Sequence, residues 1–162
     1  MKTKRIVMSA LLAALVCVAT MIIRVPSPLG GYLNLGDGIV LLCGWLLSPV
    51  YGLLAAGIGS GLADILSGYV AYAPATFIIK GGMALLAYGI AKGLRTRPLT
   101  AKLVGGITAE VVMVGGYLAF ESIIYGFVPS LVNVPVNALQ GLAGLIVGLI
   151  LVRVFEKHNI FG

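Results

Sequence analysis

A chain of 162 residues that is 60% hydrophobic and only 10% charged, with a mean hydropathy of +1.10, cannot fold as an ordinary soluble domain. Soluble domains carry about 25% charged residues, and at this size their surface-to-volume ratio would leave too much apolar area wet. The net charge of +6 would suggest nucleic acid in a soluble protein, but the basic residues flank apolar runs, as in a protein of the lipid bilayer, so no nucleic-acid partner is expected.

The first apolar run, residues 5–23, follows Lys2 and Lys4 and ends at Arg24 and the turn-forming VPSPLGG. It meets the length of about 20 residues that a membrane helix needs. It lacks a small-residue cleavage site, so no cleavable signal is expected. A second, shorter helix is predicted from Leu35 to just before Ser48-Pro49, a turn signal. The third covers 50–66, the fourth 74–90, the fifth 103–120 and the sixth 131–154. The fold class predicted is an all-α integral membrane protein, a compact six-helix bundle forming one substrate-binding domain over 1–162.

Six spans place both termini on one side, with the second–third and fourth–fifth connections. That side holds Lys2, Lys4, Arg5, Lys92, Arg95, Arg97, Lys102, Arg153 and Lys157, against Arg24 alone on the other. The excess of basic residues marks the cytoplasmic face, so both termini are predicted to be cytoplasmic in a multi-pass prokaryotic cell-membrane protein.

Within the spans, charges cost about 2.5–3.5 kcal/mol each and usually face a bundle interior or a wet cavity. Lys80 lies about 9 Å below the outer start of the fourth helix, at 1.5 Å per residue. Asp37, Asp64 and Glu121 stand at outer helix ends, with Tyr117 one turn deeper than Glu121. Asn133, Asn137 and Gln140, spaced i, i+4, i+7, share one face of the sixth helix. Five helices thus send polar groups to the same outer third. One reading makes these groups internal ties, with Asp64 and Lys80 as a buried ion pair and the amides bonding helix to helix. The other makes them the wall of a pocket, with Lys80 touching a ligand or holding Asp64 beside it.

The outer loops supply aromatics. RVPSPLGGYLNLGD carries Tyr32 and Asn34, SGYVAYAP carries Tyr69 and Tyr72, and FESIIYGFVPS carries Tyr125 and Phe127. Singly, each tyrosine fits an interfacial belt; together they suit the stacking of a flat ring whose edge the amides and charges read. Glu110 stands apart towards the cytoplasmic half of the fifth helix, and His158 is a solvated tail residue. Cys17 and Cys43 read as buried free thiols, with no metal site. Small residues at helical spacing permit close helix approach. Gly57, Gly61, Gly144 and Gly148 suit internal packing, and Ser9, Ala10, Ala13 and Ala14 suit either packing or a subunit interface. Phosphate-loop, metalloprotease and nucleophile-elbow motifs are absent from the sequence, so neither an enzyme nor a cofactor is expected.

These elements resemble the substrate-binding S components of energy-coupling factor (ECF) vitamin transporters, in the riboflavin-type and hydroxymethylpyrimidine-type branch. The resemblance rests most on GGYLNLGD, on GSGLADILSGYVAYAPATFIIKG and on the A-x-x-x-A of the first helix. It implies high-affinity capture of a water-soluble vitamin or precursor at the outer face, with a transmembrane coupling subunit and two ATPase subunits as partners. It further implies that Ala10, Ala13 and Ala14 meet the coupling subunit and that the loop between helices one and two is a lid. A hydroxymethylpyrimidine- or pyridoxine-like ring is favoured over riboflavin by the density of polar groups. The competing reading is a structural or assembly membrane subunit that binds no small molecule.

Overall fold

Lipid offers no partners for backbone N–H and C=O groups, so each span must satisfy them internally as a helix. The computed structural model describes residues 2–94 and 98–158. Its helices are α1 (Lys2–Ile22), α2 (Asp37–Leu46), α3 (Pro49–Leu66), α4 (Ala73–Gly93) and α5 (Pro98–Tyr125). A four-residue turn, α6 (Phe127–Ser130), and a 3-10 turn at Leu131–Asn133 lead into α7 (Val134–Lys157). Five stretches are long and apolar enough to cross a membrane, and the protein is a multi-pass membrane protein. Ser48 is extended and Pro49 opens α3, which keeps the second and third helices separate. The fifth helix is longer at both ends than its apolar run, because Pro98 is well placed in a first turn where its missing N–H costs nothing.

The short element is the central one. At ten residues α2 rises about 15 Å, half of the hydrocarbon thickness of about 30 Å. Every residue from Asp37 to Gly44 is buried, with α7, α4, α3 and α1 packed around it. Non-helical backbone at membrane depth is tolerated where protein covers it. The chain therefore enters α2 through an extended segment, and the helix begins deep in the bundle.

Glycine lets the backbones meet around this core. A Cβ on Gly144 of α7 would lie 2.5 Å from the Cβ of Asp37, and one on Gly57 of α3 would lie 2.9 Å from Phe77 of α4. The expected packing role of these positions is thus met. On α1, Ala13 backs onto α3, where a Cβ on Gly59 would come within 2.4 Å of its carbonyl oxygen. Ala10 and Ala14 are exposed and line an apolar groove of about 440 Å³ between α1 and α3.

One end of the bundle carries the start of α1, the end of α7 and an ion pair between Lys102 and Glu156 (2.5 Å). Lys4, Arg5, Lys92, Arg153 and Lys157 fall at the same end; Arg95, Arg97 and the side chain of Lys2 lie outside the described residues. The other end is roofed by a hairpin in which β1 (Val25–Pro26) pairs antiparallel with β2 (Tyr32–Leu33).

Candidate functional site

The deep layer of the site forms where α2 begins. Asp37 is fully buried and Lys80 nearly so, and the two form an ion pair. Gln140 Nε2 donates to the second Asp37 oxygen at 2.8 Å. The Gln140 carbonyl oxygen accepts from the Asn34 backbone N–H (3.0 Å) and from Asn34 Nδ2 (3.2 Å). Asn34 Oδ1 in turn accepts from the Gly36 N–H at 2.9 Å, an Asx-type turn that leads into α2. Gly36 fits tightly: a Cβ there would clash with Thr20 Oγ1 of α1. Lys80 Nζ also lies 5.4 Å from the centre of the Tyr117 ring, within cation–π range. A buried ion pair repays its desolvation only when hydrogen bonds satisfy the remaining lone pairs, and Gln140 does that here.

This corrects the pairing expected for Lys80: its carboxylate partner is Asp37, not Asp64. The extended approach to α2 sinks the start of the helix, and Asp37 with it, from the outer level where the sequence placed it to that of a lysine two turns inside α4. Asp64 instead accepts a hydrogen bond from the Tyr32 hydroxyl at 2.7 Å.

The upper layer is built from loops. Tyr32 stacks on Tyr69 with ring centres 4.8 Å apart, Tyr69 meets Tyr72 edge-on at 6.2 Å, and Tyr72 meets Phe120 at 5.1 Å. Asn133 Nδ2 donates to Glu121 (2.9 Å) and to the Gly30 carbonyl (3.2 Å), while Asn133 Oδ1 accepts from the Leu29 N–H (3.4 Å). The Tyr72 hydroxyl donates to the same Glu121 oxygen at 3.5 Å. Gly31 takes φ +73°, and a Cβ on Gly30 would lie 2.9 Å from the Tyr72 hydroxyl, so the hairpin closes down on the rings. Burial first, and the Asp64 carboxylate second, push the Tyr32 phenol upward. Burial, then the Tyr125 hydroxyl and Glu121, do the same to Tyr72. Both phenols therefore stay neutral donors at physiological pH.

Between the layers lies a cavity of about 30 Å³, room for a water or two. Ser27, Gly30, Gly31 and Tyr32 close it above; Asp64, Tyr72, Glu121 and Asn34 form its sides. Thr76 and Tyr117, hydrogen-bonded to each other at 3.1 Å, line it together with Asn137 and Gln140. Asn137 has no hydrogen-bond partner among the described residues, although it is only 8% exposed. Most of the site residues singled out in the sequence meet at this cavity. Asp37 and Lys80 sit behind it, and Tyr69 and Asn133 hold its roof. The sequence reading missed Ser27, Gly30, Gly31 and Thr76; the last lies one turn before Lys80 on the same face, and that spacing was its available signal.

Glu110 stays outside the cavity, as expected, and so does Phe127, which the sequence grouped with the ring-stacking aromatics. Phe127 is 60% exposed. Glu110 is buried against Gly141 and Gly144, and its two oxygens have no hydrogen-bond partner among the described residues. Cys17 and Cys43 are buried free thiols.

Comparisons with known proteins identify the family and the fold. The family model of the ECF-type riboflavin transporter S component matches residues 1–157. The chain belongs to that family. It is an S component, a membrane protein that binds a vitamin-type substrate and works with an ECF module, and not an enzyme. It is similar to the solved S component of a bacterial ECF transporter, with TM-score 0.80, 25% identity and 98% of each chain covered. It is 27% identical over 136 residues to the thiamine precursor transporter HmpT of Lactococcus lactis subsp. cremoris (strain MG1363), covering 84% of this chain and 76% of that one. It is also 35% identical over 134 residues to an uncharacterized protein of Pyrococcus woesei, covering 82% and 88%.

Proposed function

We propose that this S component captures a small single-ring heteroaromatic vitamin or precursor, of the hydroxymethylpyrimidine or pyridoxine kind. Asn137 carries the reading. It is a mostly buried amide lining the cavity with no hydrogen-bond partner among the described residues, so both its donor and its acceptor are open to a ligand. A ring nitrogen or hydroxyl at that position would satisfy it, with Glu121 and Asp64 beside it for further polar groups and the Tyr32, Tyr69 and Tyr72 cluster as the apolar roof. Ligand pockets usually enclose about 300–1,000 Å³, so even a single ring enters only when the Ser27–Tyr32 hairpin lifts. A three-ring riboflavin would demand a larger rearrangement of Thr76, Tyr117 and Gln140. The relative named for a thiamine precursor supports the small ring, while the description of the family model keeps riboflavin as the second reading.

In this proposal the whole chain is one substrate-binding unit of the prokaryotic cell membrane, with both termini cytoplasmic and the hairpin outside. The groove at Ala10 and Ala14, with Ala13 at its base, docks on the transmembrane coupling subunit, and two ATPase subunits supply the energy. Calorimetry of the purified protein with hydroxymethylpyrimidine, pyridoxine and riboflavin tests the substrate. Stoichiometric binding of one of the single-ring compounds, weakened in Asn137→Ala, is expected. Preference for riboflavin would establish the second reading, and binding of none would refute the proposal.

A further inference from the structure

The candidate cavity is one-sided in charge. Asp64 and Glu121 both line it, and no lysine, arginine or histidine does. Lys80 stands behind the wall and is taken by Asp37. Arg24, next to the hairpin, is exposed and outside the lining. Among the described residues neither Asp64 nor Glu121 has an ion-pair partner, although both are buried. The tyrosine hydroxyls of the lining are already spent. Those of Tyr32 and Tyr72 donate to Asp64 and Glu121, and that of Tyr117 is paired with Thr76.

A carboxylate shut away from water is costly unless a positive partner meets it. A phosphate ester carries about −1.5 to −2 charge at neutral pH, so beside Asp64 and Glu121 it would add anion to anion, with no cation at hand and few donors. On the reading of this cavity as the vitamin site, we infer that it sorts ligands by charge. It takes a ring that carries an amine or a protonated ring nitrogen, and it excludes the phosphate ester of the same ring, with Asp64 and Glu121 as the discriminating residues. A phosphate ester outside the cell then needs hydrolysis before capture.

Calorimetry of the purified full-length protein with matched compounds tests this. Pyridoxine, pyridoxamine, pyridoxine phosphate and the acetyl ester of pyridoxine share one ring and differ in charge or bulk. Pyridoxamine is expected to bind more tightly than pyridoxine. The phosphate should bind roughly ten- to a thousandfold more weakly than the acetyl ester, the span that a charge at about 4–6 Å produces. Glu121→Gln and Asp64→Asn each keep an acceptor and drop a charge, so in each the phosphate penalty should shrink by about tenfold. If hydroxymethylpyrimidine or riboflavin is the ring bound, its own phosphate and acetyl esters carry the same comparison, so the choice of ring can fail while the charge rule stands. Equal weakening by the phosphate and acetyl esters would assign the exclusion to bulk and overturn the inference, as would a phosphate penalty unchanged in both variants. Absence of binding by every compound would overturn it together with the vitamin reading.

Discussion

The two layers of the candidate site are made of similar residues and are held in opposite ways. The deep layer is a chain of committed groups: Lys80 to Asp37, Asp37 to Gln140, and Gln140 to Asn34. The first two join helices to one another, and the third ties the segment leading into α2 to α7. In the upper layer the ties run between helices and a hairpin, through Tyr32 to Asp64 and through Asn133 to Gly30 and Glu121. They can be exchanged without taking the bundle apart. The contrast teaches that polarity in a membrane bundle is not by itself evidence of ligand contact. What separates a structural tie from a recognition group is whether its hydrogen bonds are already used.

The comparison breaks most decisively at Lys80. Lys80→Met leaves Asp37 buried without its cation, and removing one partner of a buried pair costs about 3–5 kcal/mol. Thermal unfolding in detergent should show the loss, and the Lys80→Met/Asp37→Asn double variant should recover a substantial part of it. Unchanged stability in the single variant would end the claim that the deep layer is structural. Asn137→Ala should behave in the opposite sense. With no protein hydrogen bond to lose, it should unfold within about 0.5 kcal/mol of the parent. The substitution would leave a buried group of the ligand unpaired, at about 1–3 kcal/mol, so calorimetry should show the affinity reduced by roughly five- to 150-fold.

Two smaller effects sharpen the upper layer. Tyr32→Phe removes the bond to Asp64 and keeps the stack on Tyr69, so ligand release should quicken about fivefold, for a net hydrogen bond of about 1 kcal/mol. Stopped-flow measurements would read it, and an unchanged rate would exclude this bond as a latch. Gly31→Ala places a Cβ at φ +73°, at a cost of about 1 kcal/mol charged to the closed hairpin. Its affinity should fall several-fold, with little change in unfolding temperature.

Much of this was legible in the sequence, for reasons that differ by residue. The helices could be placed because a bilayer leaves an apolar run no other conformation. Asp64, Lys80, Glu121 and the 133–137–140 stripe could be found because each is too costly in a span to be incidental. The partner of Lys80 could not, since depth was counted from helix ends and α2 begins inside the bundle. Thr76 drew no notice because threonine is cheap in an apolar run. Nor could the stripe reveal that Gln140 is spent while Asn137 is free; the difference lies in Asn34, which is remote in sequence.

The tight seat of Gly36 against Thr20 has a consequence of its own. Gly36 is the joint between the hairpin and the central helix, and Thr20 belongs to α1, whose opposite half carries the Ala10–Ala14 groove. The hairpin over the cavity and the helix that carries the groove therefore share one bearing. If the groove docks as proposed, a tilt of α1 there would press on that joint or leave it, which joins the groove mechanically to the hairpin.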